Sequence, residues 1–536
     1  MRGFLQIFCD FANWSTVCGV PHIANAQTKL SRFFWSFIFI CLVAVFGYQL
    51  FTMIVKFFKF PVMVTTDIFF QEQNFPVVTV CNFNPYKFAE VNSNSKFSRI
   101  KDLMSAYNRA VANTLTTDDQ YGLRAVQNDQ FVRDSRARDA LVLLSAELTD
   151  DDKEPALYTF DDLISECSFA GKSCSRDDFK RFIDPVYGAC YSFNENSNSS
   201  YTVQRAGMSF GLKLLLTVKQ KLHNGNADFL PTTQLAGARI SIHARGTHPS
   251  LESHGMNIGV GYQTAVSVVK TETERCKRPY GRCVTRESEG SDLFKDYTYT
   301  LETCFNGCRQ RDTLKQCDCY NPRFPAPSTD NWCDISKLSC LQNLKGDQSN
   351  TANPNLDPLM QCGCDPPCGE TNFFTTASLA RYPSAKYYVA TDSVNGAKRN
   401  DCWEWYRTNS LLLQVYFETL KYEKYTEKPS YGLSDIVNDL GGQAGLWLGL
   451  SVISVVEVCG LLMLICCYCV TCGGIRVRPS EIDIDSDERI KDIKEVEKEI
   501  DSREEHDRKI KKKSESEANQ SSRSTEIDSL SDSDGY

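Results

Sequence analysis

Two long apolar stretches stand out from an otherwise mixed pattern of hydrophobic and polar positions. They cover residues 33–55 and 441–470, and each exceeds the roughly 20 apolar residues that cross a bilayer core as a helix. Gly449-Leu450-Ser451 and Glu457 interrupt the second stretch, although a simple membrane anchor would not need them. A small-residue break and an intramembrane carboxylate are typical of a span that lines a water-filled path. We therefore expect two transmembrane helices, the second lining the pore of a channel subunit.

Between these stretches the pattern changes to short runs typical of strands, separated by longer helix-like segments. The β-rich run at 75–82 (FPVVTVCN) and the alternating run at 410–420 give the clearest strand signals. Partial alternation also occurs at 212–218, 238–243 and 264–270. Helix-like composition covers 98–148 and 292–315. A β core with helical elaborations is therefore predicted for residues 56–440.

The C-terminal tail has a different composition from the rest of the chain. From Gly473 onward it mixes acidic, basic and serine residues with almost no aromatic ones, so it is expected to be largely disordered. A charged helix is predicted only at 490–500. Four cysteines precede the tail, and lipid acylation, ordinary packing and free thiols all remain open for them. They are Cys466, Cys467, Cys469 and Cys472.

Charge and targeting signals narrow the class of protein. The net charge of −8 does not indicate a nucleic-acid partner. The first apolar stretch is too long for a signal peptide, starts after residue 32 and lacks a small-residue cleavage motif. Lys29 and Arg32 precede it, and Arg476 and Arg478 follow the second stretch, so both termini are predicted to be cytosolic. The chain is thus expected to be a multi-pass protein of the plasma membrane.

Cysteine usage supports an extracellular location for the middle of the chain. Of the 24 cysteines, 16 lie between residues 56 and 440, as expected in an oxidising compartment. A glycosylation sequon at Asn198 suits the same side of the membrane. Closely spaced thiols such as Cys304 and Cys308 would suggest zinc in a cytosolic protein, but stacked disulfides are the expectation between two spans.

Four motifs occur in order along the chain, and together they identify a family resemblance. They are STVCG at 15–19, FPVVTVCN at 75–82, the cysteine block at 304–368, and the series from Gly441-Gly442-Gln443 through Gly449-Leu450-Ser451 to Glu457. Over most of residues 10–472 the chain resembles the epithelial sodium channel/degenerin family, most closely its acid-sensing and degenerin branches. The resemblance implies a trimer in which each subunit has two transmembrane helices and a disulfide-rich, hand-like α+β ectodomain.

The implied organisation has five parts. Residues 1–32 form a cytosolic N-terminus, 33–55 the first span, 56–440 the ectodomain, 441–470 the second span and 471–536 a cytosolic disordered tail. The ectodomain of the family has a β palm and β-ball with helical finger, thumb and knuckle elements. By this resemblance 98–148 belongs to the finger and 292–315 to the thumb.

The resemblance also implies seven disulfides, carried over by position. They are Cys81–Cys190, Cys167–Cys174, Cys283–Cys368, Cys304–Cys364, Cys308–Cys362, Cys317–Cys340 and Cys319–Cys333. Cys276 and Cys402 remain, and we predict that they form an eighth bridge.

The implied pore residues lie in and before the second span. Gly449, Leu450 and Ser451 occupy the selectivity-filter position of the family, which neighbouring subunits exchange. Glu457 would form a cation-attracting ring in a trimer, and Asp435 and Asp439 would lie at the extracellular entrance. Structural alternatives are helix packing for the small residues, a salt bridge from Glu457 to an N-terminal basic residue, and a helix cap for Asp439.

The N-terminal motif departs from the family pattern. Cys18-Gly19 stands where the family usually has His-Gly. Gly19 would let a re-entrant segment turn into the lower pore, whereas Cys18 departs from the residue type associated with family-typical gating and lower-pore geometry. His22 lies nearby, and a local hydrogen-bonding role is the simpler interpretation for it.

Candidate gating residues argue against simple activation by acid. Pro85 replaces a palm carboxylate of proton-activated relatives, whose partner is kept as Glu418, and Gln414 stands at the place of an aspartate. Asn438, at the degenerin position, is larger than the small residues that let the closed pore pack. The hypothesis is a channel that is partly open at rest and modulated by protons or another extracellular ligand; peptide and mechanical gating remain open.

Other classes fit the sequence less well. An ATP-gated trimer would need a basic cluster for phosphates, and an adhesion receptor would not need Glu457. An obligate auxiliary subunit, silent alone, is the main alternative, and no enzyme signature or cofactor motif is found. The expected partners are related subunits, sodium ions, amiloride-type blockers and membrane lipids.

Overall fold

The computed structural model describes residues 11–13, 15–196, 200–222, 225–285, 293–327, 331–350, 362–387, 399–470 and 493–512, without the side chains of 345–350, 399–402 and 468. The chain divides into two compact units. We call Lys59–Tyr431 the sheet unit, and Met1–Phe58 together with Gly432–Tyr536 the helical unit.

All fifteen named strands lie in the sheet unit. They are β1 Val62–Phe70, β2 Gln73–Asn74, β3 Val77–Asn82, β4 Ile164–Phe169, β5 Lys172–Ser173, β6 Phe179–Asp184, β7 Gly188–Phe193, β8 Thr202–Val203, β9 Leu212–Thr217, β10 Gly237–His243, β11 Met256–Gly259, β12 Tyr262–Glu274, β13 Gly369–Arg381, β14 Ser410–Phe417 and β15 Lys421–Pro429.

The α-helices are distributed over both units. They are α1 Val20–Ala24, α2 Lys29–Phe58, α3 Phe88–Ser93, α4 Ser98–Val111, α5 Gln130–Ala146, α6 Asp150–Lys153, α7 Phe160–Leu163, α8 Leu251–His254, α9 Leu301–Cys317, α10 Leu338–Asn350, α11 Arg399–Asn409, α12 Leu433–Leu448 and α13 Val452–Val470. Short 3-10 helices occur at Ser95–Phe97, Arg124–Val126, Glu154–Ala156, Arg176–Asp178, Met208–Phe210 and Ile335–Lys337.

The larger sheet has eight strands around the long strand β12. Its order is β1-β15-β12-β14-β9-β4-β5, and β13 also pairs with β12. β14 runs parallel to β12 and antiparallel to β9, so apolar strands lie on both sides of it. Leu411, Leu413 and Val415 are fully buried, which agrees with the strand predicted from their alternation.

The smaller sheet has five strands in the order β11-β10-β3-β7-β6. β3, which forms most of the FPVVTVCN run, is buried along its whole length. Phe75 precedes it and packs edge-on against Phe169 of the larger sheet and Phe193 of the smaller one. One hydrophobic core therefore joins the two sheets.

The helix predicted over 98–148 is in fact two helices, α4 and α5. Asn113 has a left-handed backbone (φ 53°) shortly after α4 ends, and Asp129 caps α5 by accepting a hydrogen bond from the Val132 N–H at 3.1 Å. The polar segment between them carries Thr-Thr-Asp-Asp and Gly122, which favour turns over a continuous helix. The two helices pack together through a hydrogen bond of 2.8 Å from the Tyr107 hydroxyl to Asp134.

The helix predicted over 292–315 begins later than expected. Thr300 is its N-cap and accepts from the Thr303 N–H at 3.2 Å, so α9 starts at Leu301. At the other end the chain leaves the helix through Asp318, which has a left-handed backbone (φ 58°).

The seven disulfides predicted from the family resemblance are confirmed. Cys81–Cys190 joins directly opposed residues of β3 and β7. Cys304–Cys364 and Cys308–Cys362 tie α9 to the segment before β13. The other four bridges are Cys167–Cys174, Cys283–Cys368, Cys317–Cys340 and Cys319–Cys333.

The predicted bridge between Cys276 and Cys402 is wrong, because Cys276 is a free thiol. Its Sγ lies 3.2 Å from the carbonyl oxygen of Glu427. Topology explains the error. Cys276 follows the C-terminal end of β12, whereas α11, which contains Cys402, leads into β14 beside the N-terminal end of β12. Because β12 is 13 residues long, its two ends are about 40 Å apart.

The helical unit contains α1, α2, α12, α13 and a helix at 493–512. α2 is long and apolar enough to cross a membrane and extends beyond the predicted 33–55 at both ends. α12 and α13 pass the same test only as a pair, and the chain bends by 83° between them. The predicted helix at 490–500 falls partly on the helix observed at 493–512, while 471–492 and 513–536 lie outside the described residues.

Candidate functional site: the break between two helices

The predicted filter residues form the break between α12 and α13. Gly449 has a left-handed backbone (φ 64°, ψ 22°), which ends α12. The Gly449 and Leu450 N–H groups then donate to the carbonyls of Gly445 and Ala444, at 3.1 and 3.2 Å. These bonds satisfy carbonyls at the end of the helix, so the break is a closed structural element.

Ser451 immediately precedes α13, the helix that follows the break. Its hydroxyl accepts from the Ser454 N–H at 3.3 Å, and the Ser454 hydroxyl accepts from the Ser451 N–H at 3.2 Å. This reciprocal arrangement is a capping box with serine at both positions. Ser451 is solvent-exposed in the single chain, whereas Ser454 is fully buried.

The N-terminal segment packs directly against this break. The Cys18 N–H donates to the carbonyl of Leu448 at 3.1 Å, and a Cβ placed on Gly449 would overlap the Cys18 sulfur. Glycine is therefore required at position 449 for two reasons. Its positive φ disfavours any side chain, and the Cys18 thiol occupies the space that a Cβ would need. Cys18 and Gly449, which the sequence indicated separately, contact each other.

Glu457 is held by the same N-terminal segment. Its Oε2 accepts from the Thr16 N–H at 2.9 Å and from the Thr16 hydroxyl at 3.0 Å. That hydroxyl also lies 2.7 Å from the Ser454 hydroxyl. Glu457 is thus bound by hydrogen bonds from a threonine, and not by the N-terminal basic residue that the salt-bridge alternative expected.

Thr16 and Ser454 are site residues that the sequence reasoning missed. Thr16 lies in the STVCG motif, which carried the family resemblance, but no local pattern pairs it with a residue more than 400 positions later. Ser454 lies three residues after Ser451, and that spacing was a readable capping signal.

Gly19 starts the short helix that follows the N-terminal segment. It has φ 92°, and a Cβ there would lie 3.1 Å from the Phe39 ring of α2. His22 of α1 stacks on Trp35 of α2, with ring centroids 4.6 Å apart. His22 therefore packs on an aromatic ring, in place of the hydrogen-bonding role expected for it.

A second contact joins α12 to α2. The indole N–H of Trp447 donates to Gln49 Oε1 at 2.7 Å and lies 3.1 Å from Gln443 Oε1. Thus Gln443, part of the Gly-Gly-Gln motif, helps orient the tryptophan that precedes the break.

The other predicted pore residues lie on the first half of α12. Asp435 accepts from the Gly432 N–H at 2.8 Å, so it performs the helix-capping role considered for Asp439. Asn438 and Asp439 follow one turn later, and all three side chains are exposed in the single chain.

The predicted gating residues lie in different parts of the sheet unit. Glu418 follows β14 and accepts from the Ser267 hydroxyl at 3.2 Å. Gln414 bonds to Gln263 at 3.0 Å and to the Met208 carbonyl at 2.8 Å. Pro85 is buried after β3, where its carbonyl packs against Gly188. Among the described residues no hydrogen bond or ion pair joins Pro85 to Glu418. Asn198 and Cys472 lie outside the described residues. Within the described part of the chain, no group of three or more His, Cys, Asp or Glu side chains is placed to hold a metal ion.

Comparison with known proteins agrees with these features. A family model described as amiloride-sensitive sodium channel matches residues 11–461. Degenerin-like protein asic-2 of Caenorhabditis elegans is 54% identical over 512 residues, covering 93% of this chain and 94% of that protein.

Two degenerins show a more distant similarity. Degenerin del-1 of Caenorhabditis elegans is 33% identical over 335 residues, 61% of this chain and 48% of that protein. Degenerin mec-4 of Caenorhabditis briggsae is 32% identical over 313 residues, 58% of this chain and 40% of that protein. Both alignments span less than half of the degenerin.

The family model covers the STVCG segment, all seven disulfides and the helix break with Glu457. The chain therefore belongs to the amiloride-sensitive sodium channel family, whose members are membrane ion channels, and it is a cation-channel subunit and not an enzyme.

Proposed function

We propose that the chain forms a sodium-selective, amiloride-sensitive channel with two further copies of itself or related subunits. In this proposal α2 is the first span, and α12 with α13 is a second, broken span. Both termini are cytosolic and the sheet unit is extracellular. The observation that supports it most is the helix break at Gly449 with the N-terminal segment packed against it.

Selectivity would arise where three such breaks surround an axis. Backbone carbonyls and the Ser451 hydroxyl can replace part of the hydration shell of a small monovalent cation. Gly449 leaves its carbonyl unshielded because it has no side chain. Glu457, one and a half turns into α13, would add a ring of negative charge, and Asp435 and Asp439 would concentrate cations at the entrance.

The resting state is part of the proposal. Asn438 is larger than alanine or serine, so the closed packing of α12 against its neighbours would be less stable and a fraction of channels would conduct at rest. Pro85 and Gln414 remove two carboxylates that simple acid activation would use. Protons or another extracellular ligand would then modulate an existing current.

Currents recorded from cells that express this chain alone test the proposal. We expect a resting inward current at neutral pH that disappears when sodium is replaced by a large organic cation and is blocked by amiloride. Asn438→Ala should reduce the resting fraction without changing selectivity, because it alters packing and leaves the break intact. A surface-expressed chain whose resting current is carried equally by sodium and potassium would exclude the selective pore.

An auxiliary subunit is the alternative, and Cys18 is the observation that favours it. A cysteine where the family usually has histidine lies directly against Gly449. If the chain is silent alone but changes the selectivity or block of a co-expressed relative, this alternative replaces the homomeric channel.

A further inference from the structure

A cavity of about 810 Å³ lies within the sheet unit. The end of β10, the segment that follows it, the residues leading into α9 and the first half of β13 line this cavity. β13 pairs with β12 along one edge, and no other described strand pairs with its second edge. The wall at 369–375 thus offers backbone groups without ladder partners.

Two buried polar atoms in the cavity wall lack hydrogen-bond partners among the described residues. One is the hydroxyl of Ser241, a residue that is only 1% exposed, and the other is Nδ1 of His248. A buried polar group left unpaired is destabilising, so such groups are rare in the absence of a ligand or bound water.

His248 is held as a neutral ring. Its ring lies edge-on to Phe294 and Tyr297, with centroids 5.1 and 5.0 Å away. Burial lowers the pKa of His248 to about 4, so at neutral pH the imidazole can offer a lone pair. His243 in the same wall is neutral for the same reason, with a pKa of about 4, but its two nitrogens already bond to Thr79 and Ala244 at 2.9 and 3.1 Å.

Among the charged groups around the cavity, one carboxylate has no ion-pair partner among the described residues. Glu370 is ion-paired with Arg275 at 2.8 Å. The Arg245 guanidinium donates to Asn194, next to the half-buried carboxylate of Glu195. Glu302, in the first turn of α9, also lines the cavity and forms no ion pair with a described residue. Tyr299 and Phe373 add aromatic surface to the same wall.

We propose that this cavity binds a small organic ammonium ligand, whose N–H groups donate to His248 and Ser241 and whose charge is balanced by Glu302. Aromatic rings beside a carboxylate are the chemistry that recognises protonated amines. The proposal concerns the sheet unit alone and does not depend on the pore.

Binding of two matched probes to the purified full-length protein tests the proposal by calorimetry. Phenethylamine is protonated at neutral pH, and 2-phenylethanol has the same ring and chain length without the charge. We expect phenethylamine to bind at least tenfold more tightly than 2-phenylethanol. Glu302→Gln and His248→Phe should each weaken its binding at least tenfold, whereas Glu90→Gln, at an exposed carboxylate on α3, should not.

Ser241→Ala separates a binding role from a structural one. Removing an unsatisfied buried hydroxyl should leave the thermal midpoint unchanged or raise it, while phenethylamine binding falls severalfold. Equal affinity for the two probes, no binding at millimolar concentration, or wild-type affinity in all three cavity variants would overturn the proposal. Because this experiment measures binding and not current, it tests the proposal even if the chain conducts no current.

Discussion

The sheet unit and the helical unit are stabilised by different kinds of contact. Seven disulfides and long ladders such as the 13-residue pairing of β12 with β13 cross the sheet unit. In the helical unit, a few hydrogen bonds from Thr16, Cys18 and Trp447 join segments that are hundreds of residues apart. None of the cysteines described there forms a disulfide.

This difference indicates a division of labour within one chain. Covalent and ladder contacts give the sheet unit one arrangement, which suits the extracellular scaffold proposed for it. The contacts around Gly449 and Glu457 are few and individually worth about 1 kcal/mol, so a small change in free energy can rearrange them. If the proposed pore opens and closes at this break, it would need that property, because a gate must change state under a modest stimulus.

The largest expected effect comes from removing a bridge in the sheet unit. Cys81→Ala with Cys190→Ala opens a link between residues 109 positions apart, which should lower the free energy of unfolding by about 4 kcal/mol. Thermal unfolding of the purified protein and its amount at the cell surface both measure this loss.

Cys276→Ala is the matched control, because it removes a free thiol. It should change the free energy of unfolding by less than about 1 kcal/mol, the value of one weak hydrogen bond. An effect as large as that of the Cys81 and Cys190 pair would show that Cys276 is bridged after all.

The same comparison explains what sequence reasoning could and could not predict. Leu411, Leu413 and Val415 revealed β14 because alternation is a local signal, and the spacing of the cysteines matched a known framework. The predicted bridge from Cys276 was wrong because it paired the two cysteines that remained after the seven bridges, without regard to the length of β12 between them. Thr16 was missed because its bond to Glu457 is a tertiary contact with no local signature.

The next largest effect should come from Gly449→Ala in the helical unit. The positive φ disfavours any side chain and the new Cβ would overlap the Cys18 sulfur, so the observed break should lose about 3 kcal/mol. We expect the sodium current to fall more than tenfold while surface expression stays unchanged, as the bridges of the sheet unit are intact.

Two further variants separate the causes of that loss. Gly460→Ala, on α13, meets nothing within 4 Å and should leave the current unchanged. Adding Cys18→Ala to Gly449→Ala relieves the overlap but not the backbone strain, so it should restore the current in part. Full restoration would show that φ does not matter at this position.

Acid should weaken the sheet unit through Asp162. Burial opposes the charge of this carboxylate, but hydrogen bonds from Lys219, Lys87 and the Thr159 N–H outweigh that cost and lower its pKa. The folded-state pKa lies below the unfolded value, so the stabilisation is complete above about pH 4 and is lost as pH falls further.

Asp162→Asn should therefore cost about 2 kcal/mol at neutral pH and flatten the fall in thermal midpoint between about pH 4 and pH 2. The control is Asp151→Asn, at an exposed carboxylate on α6, which should keep the wild-type pH dependence. An unchanged acid response in Asp162→Asn would assign that response to other groups.

The smallest effect should come from Thr16, and it tests whether weak contacts set the state of the helix break. Thr16→Ala removes the hydroxyl that bonds to Glu457 and Ser454 but keeps the backbone N–H bond. One such bond is worth about 1 kcal/mol, so cation affinity or open probability should change by about fivefold.

Thr16→Ser keeps the hydroxyl and should behave like the wild type. In a Glu457→Ala background the Thr16→Ala effect should become smaller, because the carboxylate that accepts from the hydroxyl is gone. If the Thr16→Ala effect persisted at full size in that background, the Thr16 hydroxyl would act through Ser454 alone. The N-terminal segment would then not determine the position of the Glu457 carboxylate.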